Sequence, residues 1–180
     1  MDIENSGKET SKINPVKILQ DHFVTFRDFD TNKTSVKDIV IFIMVPLISA
    51  FGFCYFFADI SSNLANNLFT IFSIFVGLLL NLLLLIYDLA KKFDLTEKNG
   101  ELKRRFLREI FANISYSIFL SILIIFFLLI SLVKLSYLSV VASSIVYFMV
   151  TNFFLTILMI LKRIHILLFK EFSPRNQVKL

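Results

Sequence analysis

Four stretches of this sequence carry no charged residue: Ile39–Ala58, Ile60–Tyr87, Ile110–Val133 and Leu135–Leu161. A hydrocarbon core about 30 Å thick is crossed by roughly 20 apolar residues of helix. Each stretch reaches that length. A helix that is apolar all round has no face to give to water, so such runs are foreign to water-soluble domains. The expected fold is an all-α integral membrane protein with four transmembrane helices arranged as two hairpins. Spans are expected near 39–58, 64–87, 110–133 and 137–161. They belong to one membrane domain, 38–180, with a cytoplasmic link at 88–109 and a helical cytoplasmic tail at 162–180.

Composition leaves little else. Of 180 residues, 56% are hydrophobic, and only 37 precede the membrane domain, too few for a separate soluble domain. The single cysteine, Cys54, excludes a disulfide within the chain and a cysteine-built metal site. The first apolar run begins too late and runs too long for a cleavable leader, so it is expected to stay in the membrane.

The basic residues set an orientation. By this segmentation, 18 of the 19 Lys and Arg fall on one side, in the N-terminal segment, the middle link and the C-terminal tail. Lys134 alone lies on the other. Basic loops stay in the cytoplasm, which places both termini and the link there, in a bacterial inner membrane. Topology thereby explains most of the net charge of +5, and no direct nucleic-acid contact is expected.

The cytoplasmic parts have their own pattern. Residues 1–13 are polar and expected to be disordered. Asn14-Pro15 reads as a helix start within the 14–37 segment. Val16, Leu19, Phe23 and Phe26 then recur at helical spacing, predicting an amphipathic helix over 15–29. Such a helix can lie on the leaflet, bind a partner or pack on its own neighbours; its mixed charge favours protein contact. Lys103, Arg104, Arg105 and Arg108 form a basic cluster leading into the third span, either an anchor to lipid phosphates or a docking surface for an acidic partner. The fourth apolar run overshoots Lys162-Arg163 with Phe169 and Phe172, apolar material in need of cover. Leu19, Phe23, Phe26, the four basic residues, Phe169 and Phe172 are the candidate partner-binding set.

Proton pumps and transporters place ionisable groups inside their spans, and here those positions are empty. His22 and His165 lie far apart and outside the spans, with no metal-ligand spacing. No nucleophile–histidine grouping, phosphate loop or CxxC is visible, so neither catalysis nor a cofactor is expected. The intramembrane polar residues are neutral, among them Asn81, Asn113, Ser144 and Asn152. They read as glue between helices, or alternatively as the lining of a water path. Shifting the sequence by 71 positions superposes Asn81 on Asn152 and Lys91-Lys92 on Lys162-Arg163, the pattern of a duplicated hairpin.

The entry Ala65–Phe75, the run from Val76-Gly77 through Asn81 to Asp88, and the four-span layout with both ends inside together resemble small bacterial anti-phage defence membrane proteins. Among these the chain is most similar to the KwaA membrane subunits of Kiwa systems. The resemblance implies a homo-oligomer, expected as a tetramer, and a soluble cytoplasmic effector, a KwaB-like DNA-binding subunit. It implies detection of phage attack at the envelope, and it transfers no catalytic residue. The expected function is therefore a membrane anchor and sensor. The alternatives are a pore former that depolarises the cell and, third, a small transporter.

Overall fold

The computed structural model describes residues 15–26, 36–57, 60–92, 100–133 and 136–172. They form five helices: α1 (Pro15–Val24), α2 (Val36–Phe57), α3 (Ser62–Lys92), α4 (Gly100–Ser131) and α5 (Ser136–Phe172). No strand occurs among the described residues. Three helical segments are long and apolar enough to cross a membrane: Ser62–Lys92, Lys103–Ser131 and Leu138–Ile166. Phe51, Tyr55, Phe56, Leu84 and Leu158 stand on the outer surface, an arrangement suited to lipid rather than water.

The helix boundaries follow local chemistry. Pro15 opens α1, where its missing N–H costs nothing. α1 is shorter than the sequence pattern suggests: it ends at Val24 in a turn closed by Thr25 N–H on the His22 carbonyl at 2.9 Å. Residues 1–13 and 27–35 lie outside the described residues. α4 begins at Gly100 and carries the basic cluster straight into its apolar part, as expected. α5 continues unbroken past Lys162-Arg163 to Phe172.

Lateral packing departs from two hairpins. α4 and α5 pack together, but α2 packs on α5 and α3 on α4. Among the described residues, α2 and α3 do not pack against each other. The reason lies in the faces each helix buries. α3 buries Ala65, Phe72, Leu79 and Ile86, flanked by the half-buried Leu68, Phe75, Leu82 and Leu89. That alternation of three and four residues is a coiled-coil seam, which commits α3 to one narrow stripe. The stripe meets α4, and Phe72 and Phe75 reach Phe153 of α5 at ring distances of 5.1 and 5.2 Å. α2 instead turns Pro46 and Ala50 inward, and Ser49 meets Thr151 of α5 at 2.7 Å. Ile60, in the connection, donates its backbone N–H to the buried Ser143 of α5. The packing is accordingly not duplicated: Asn152 is buried whereas Asn81 is exposed on α3.

α4 is the most enclosed helix. It buries Leu107, Ile110, Ile114, Ser117, Ser121, Ile124 and Leu128 along one stripe and Asn113, Tyr116 and Leu120 along another. In lipid no hydrophobic force drives helices together, so close contact between small residues has to do it. The buried serines of α4 and α5 (Ser117, Ser121, Ser139 and Ser143) permit that approach. The second stripe faces α1, which docks at the charged end of α4.

Candidate functional site

Four helices meet at that charged end around a buried polar cluster. α1 supplies its centre. Ile18, Leu19, His22 and Phe26 fall on one side of the helix, and that side faces α4. His22 is 1% exposed. Its ring stacks on Tyr116 of α4 at a centroid distance of 3.8 Å and an interplanar angle of 10°. Phe26 and Phe42 approach it at 5.1 and 5.8 Å. An aromatic cage thus excludes water around an imidazole that has one polar neighbour across the interface, Asn113, at 2.8 Å from Nδ1.

Proton inventory constrains this contact. Thr25 Oγ1 lies 2.6 Å from the His22 carbonyl and 3.1 Å from Asn113 Oδ1. One hydroxyl proton cannot serve both acceptors. The Asn113 amide nitrogen, meanwhile, is buried with no partner among the described residues. Turning the carboxamide about its own axis resolves both: its two N–H groups donate to His22 Nδ1 and Thr25 Oγ1, and the Thr25 proton stays on the carbonyl. His22 is then neutral with its proton on Nε2. Burial pushes the His22 pKa down to about 4, and the Arg163 charge adds to the lowering.

Two further links tie the cluster to the bundle. Tyr116 donates its hydroxyl to Asn152 Oδ1 at 3.0 Å. Asn152 in turn donates Nδ2 to the Phe42 carbonyl at 3.2 Å. That carbonyl has lost its helical donor, because residue 46, one turn on, is proline. Asn152 thus supplies from α5 the hydrogen bond that Pro46 removes from α2. Toward the outside, Arg163 Nη1 holds Glu109 Oε2 at 2.6 Å. Its Nη2 donates to the Thr25 carbonyl at the end of α1. A cation on the last carbonyls of a helix also meets the negative end of its dipole. Arg105 adds a second, longer contact to Glu109 at 3.4 Å.

Arg163→Gln should therefore loosen α1 while leaving the bundle intact. The expected cost is about 1–2 kcal/mol, less than for a fully buried pair because this one lies at the edge. Backbone amide exchange over residues 15–26 should quicken several-fold; unchanged exchange would mean the pair does not hold the helix.

The candidate residues divide. Leu19, half-buried, and Phe26, buried, turn inward toward the bundle, where a helix with a bundle beside it covers its apolar face intramolecularly. Phe23 remains 51% exposed and Phe169 68%. Arg104 and Arg108 are exposed, Lys103 is half-buried and Arg105 engages Glu109. The Phe172 side chain lies outside the described ones. Asn113 and Asn152 join the cluster; Ser144 returns a hydrogen bond to the Val140 carbonyl of its own helix. Asn81 stands apart on α3. His22, Thr25, Glu109 and Arg163 had no individual signal as cluster residues. The available hint was polar His22 and Thr25 sharing a helix face with Leu19 and Phe26.

Among the described residues no grouping of His, Cys, Asp and Glu has the makings of a metal site. Compared with protein-family models, curated proteins and solved structures, the chain matches none.

Proposed function

We propose that this chain is a four-pass membrane anchor with cytoplasmic termini, which holds α1 as a docked element for a soluble effector. α2, uncharged from Ile39 onward, is the fourth span, and 18 basic residues against one set the orientation. The observation that carries the reading is α1 itself. Its inner face is fixed by His22, Thr25 and Arg163, while Val16, Phe23 and Val24, each at least half exposed, line the opposite face. A helix pinned on one side, with Val16, Phe23 and Val24 exposed among Lys17, Gln20 and Asp21 on the other, is a prepared contact surface.

The buried polar groups support the anchor over a pore within one copy. Asn152 is occupied by Tyr116 and the Phe42 carbonyl, and Ser49 by Thr151. Groups paired across helices act as glue and offer no water path. Asn81 supports self-association: a carboxamide on the outer face of a membrane helix is costly in hydrocarbon and gains from an amide of a second copy. The resemblance to Kiwa membrane subunits implies a tetrameric assembly and a DNA-binding defence subunit as the effector.

Affinity purification from the native host in mild detergent, with the mass of the complex measured, tests this. A soluble protein should co-purify, Phe23→Glu should release it, and expression alone should leave membrane potential intact. A lone oligomer that depolarises the membrane would overturn the anchor in favour of the pore.

A further inference from the structure

Next to Arg163 lies a cleft of about 490 Å³, walled by α2, α4 and α5 and by the end of α1. Its size falls among small-molecule sites, which run from roughly 300 to 1,000 Å³. Its lining is layered. α2 and α5 run antiparallel, with Ser49 beside Thr151 and Phe53 stacked on Tyr147. Continuing that register sets Asp38 level with Lys162, and Ile41–Phe42 level with Leu158–Met159. All six line the cleft. One level is therefore ionic and the next, a helical turn deeper, is apolar. Ile41 and Leu158 are 49% and 60% exposed, so the apolar level opens sideways.

The ionic level is balanced. Asp38 and Glu109 face Lys162 and Arg163. The Arg163 guanidinium already holds Glu109 and the Thr25 carbonyl. Lys162 is exposed and has no ion pair among the described residues. Glu109 being held by Arg163 and Arg105, a purely anionic headgroup at Lys162 would meet the Asp38 carboxylate with no cation of its own to offer it. A zwitterion carrying phosphate and ammonium matches both signs at once.

We infer that this cleft is a binding site for one phospholipid with a primary-amine headgroup, of the phosphatidylethanolamine class. Its phosphate lies at Lys162, with Arg163 behind. Its ammonium donates to Asp38, and the start of an acyl chain lies along Ile41 and Leu158. A quaternary choline headgroup has no N–H to give the carboxylate, so it is a poorer occupant. The inference rests on the four-pass reading, which puts Asp38 and Lys162 at the boundary between hydrocarbon and headgroups.

The test uses the full chain in nanodiscs of equal parts phosphatidylethanolamine, phosphatidylglycerol and phosphatidylcholine, released into the gas phase for native mass measurement. Phosphatidylethanolamine should be retained over phosphatidylglycerol by about tenfold, the factor one charge-assisted contact supplies. Lys162→Gln should erase retention. Asp38→Asn should reverse the preference toward phosphatidylglycerol, a change that general loosening would not produce. Equal retention of all three lipids, or an unaltered preference in Asp38→Asn, overturns the site. Flotation with vesicles and protease protection of the spans are read on the same samples. Insertion without selectivity removes the cleft alone; failure to insert removes the four-pass reading with it.

Discussion

Asn152→Leu should destabilise the bundle by about 2–4 kcal/mol, because two buried groups lose their partner together. The Tyr116 hydroxyl loses its acceptor, and the Phe42 carbonyl loses the donor that stands in for residue 46. Water cannot replace either bond in a dry interior. The second loss has a specific remedy. Pro46→Ala restores an N–H one turn beyond Phe42, so the double variant should recover about 1 kcal/mol of what Asn152→Leu costs. Pro46 is fully buried, and alanine there removes some packing volume, so Pro46→Ala alone should give no gain. Reversible unfolding in mixed micelles, titrated with a denaturing detergent, reads all four corners of the cycle. Strict additivity would show that the Asn152–Phe42 contact contributes nothing. The same variant separates the functional readings. If Asn152 lined a water path, its replacement by leucine would relieve depolarisation on expression; as glue between helices it leaves membrane potential unaffected and only shortens the lifetime of the protein.

The pairing of Pro46 with Asn152 also marks the limit of what the sequence discloses. A proline in an apolar helix announces an orphaned carbonyl, and an asparagine in another announces a donor in search of an acceptor. Neither says that the two helices touch. The uncharged runs specify helices and their lengths because desolvation of the backbone leaves no alternative in lipid. They are nearly silent on lateral order, since leucine, isoleucine and phenylalanine suit lipid and protein equally. α3 is the exception. Its seam of Ala65, Leu68, Phe72, Phe75, Leu79, Leu82, Ile86 and Leu89 is written at coiled-coil spacing, yet even that names no partner. The docking of α1 was half legible. Amphipathic spacing exposes a buried face, but Leu19 and Phe26 fit a partner as well as α4. What decides for α4 is the polar complement, His22 and Thr25 against Asn113, and Arg163 against Glu109. Those residues are separated by 54 to 91 positions and become neighbours only through the fold.

Acidification should undock α1. His22 titrates near 6.5 when free and is pushed to about 4 when docked, principally by burial. The released helix therefore binds the proton more tightly than the docked one, and docking weakens as pH falls. The full contribution is present above about pH 6.5. It declines by at most about 1.4 kcal/mol per pH unit and levels off below about pH 4, a total on the order of 3 kcal/mol. The surroundings agree with this sign. From α4 the imidazole faces Tyr116 and Asn113, with Glu109 and Arg105 one and two turns before Asn113; from α5 it feels Arg163, beside which lies Asp38 of α2; and α1 itself carries Asp21 on its exposed side. Glu109 is committed to Arg163 and Arg105, so it is not available to compensate an imidazolium. Protonation also replaces the acceptor lone pair on Nδ1 with an N–H aimed at the Asn113 amide. Amide exchange over residues 15–26, corrected for intrinsic pH dependence, should accelerate between pH 6.5 and 5 while exchange in α4 and α5 stays slow. His22→Phe retains the stacked ring on Tyr116 and removes the titrating group, so its α1 exchange should lose this pH dependence. A wild-type helix that exchanges equally at pH 7.5 and 5 would mean that imidazole burial does not govern docking, and that Arg163 on the Thr25 carbonyl holds α1 alone.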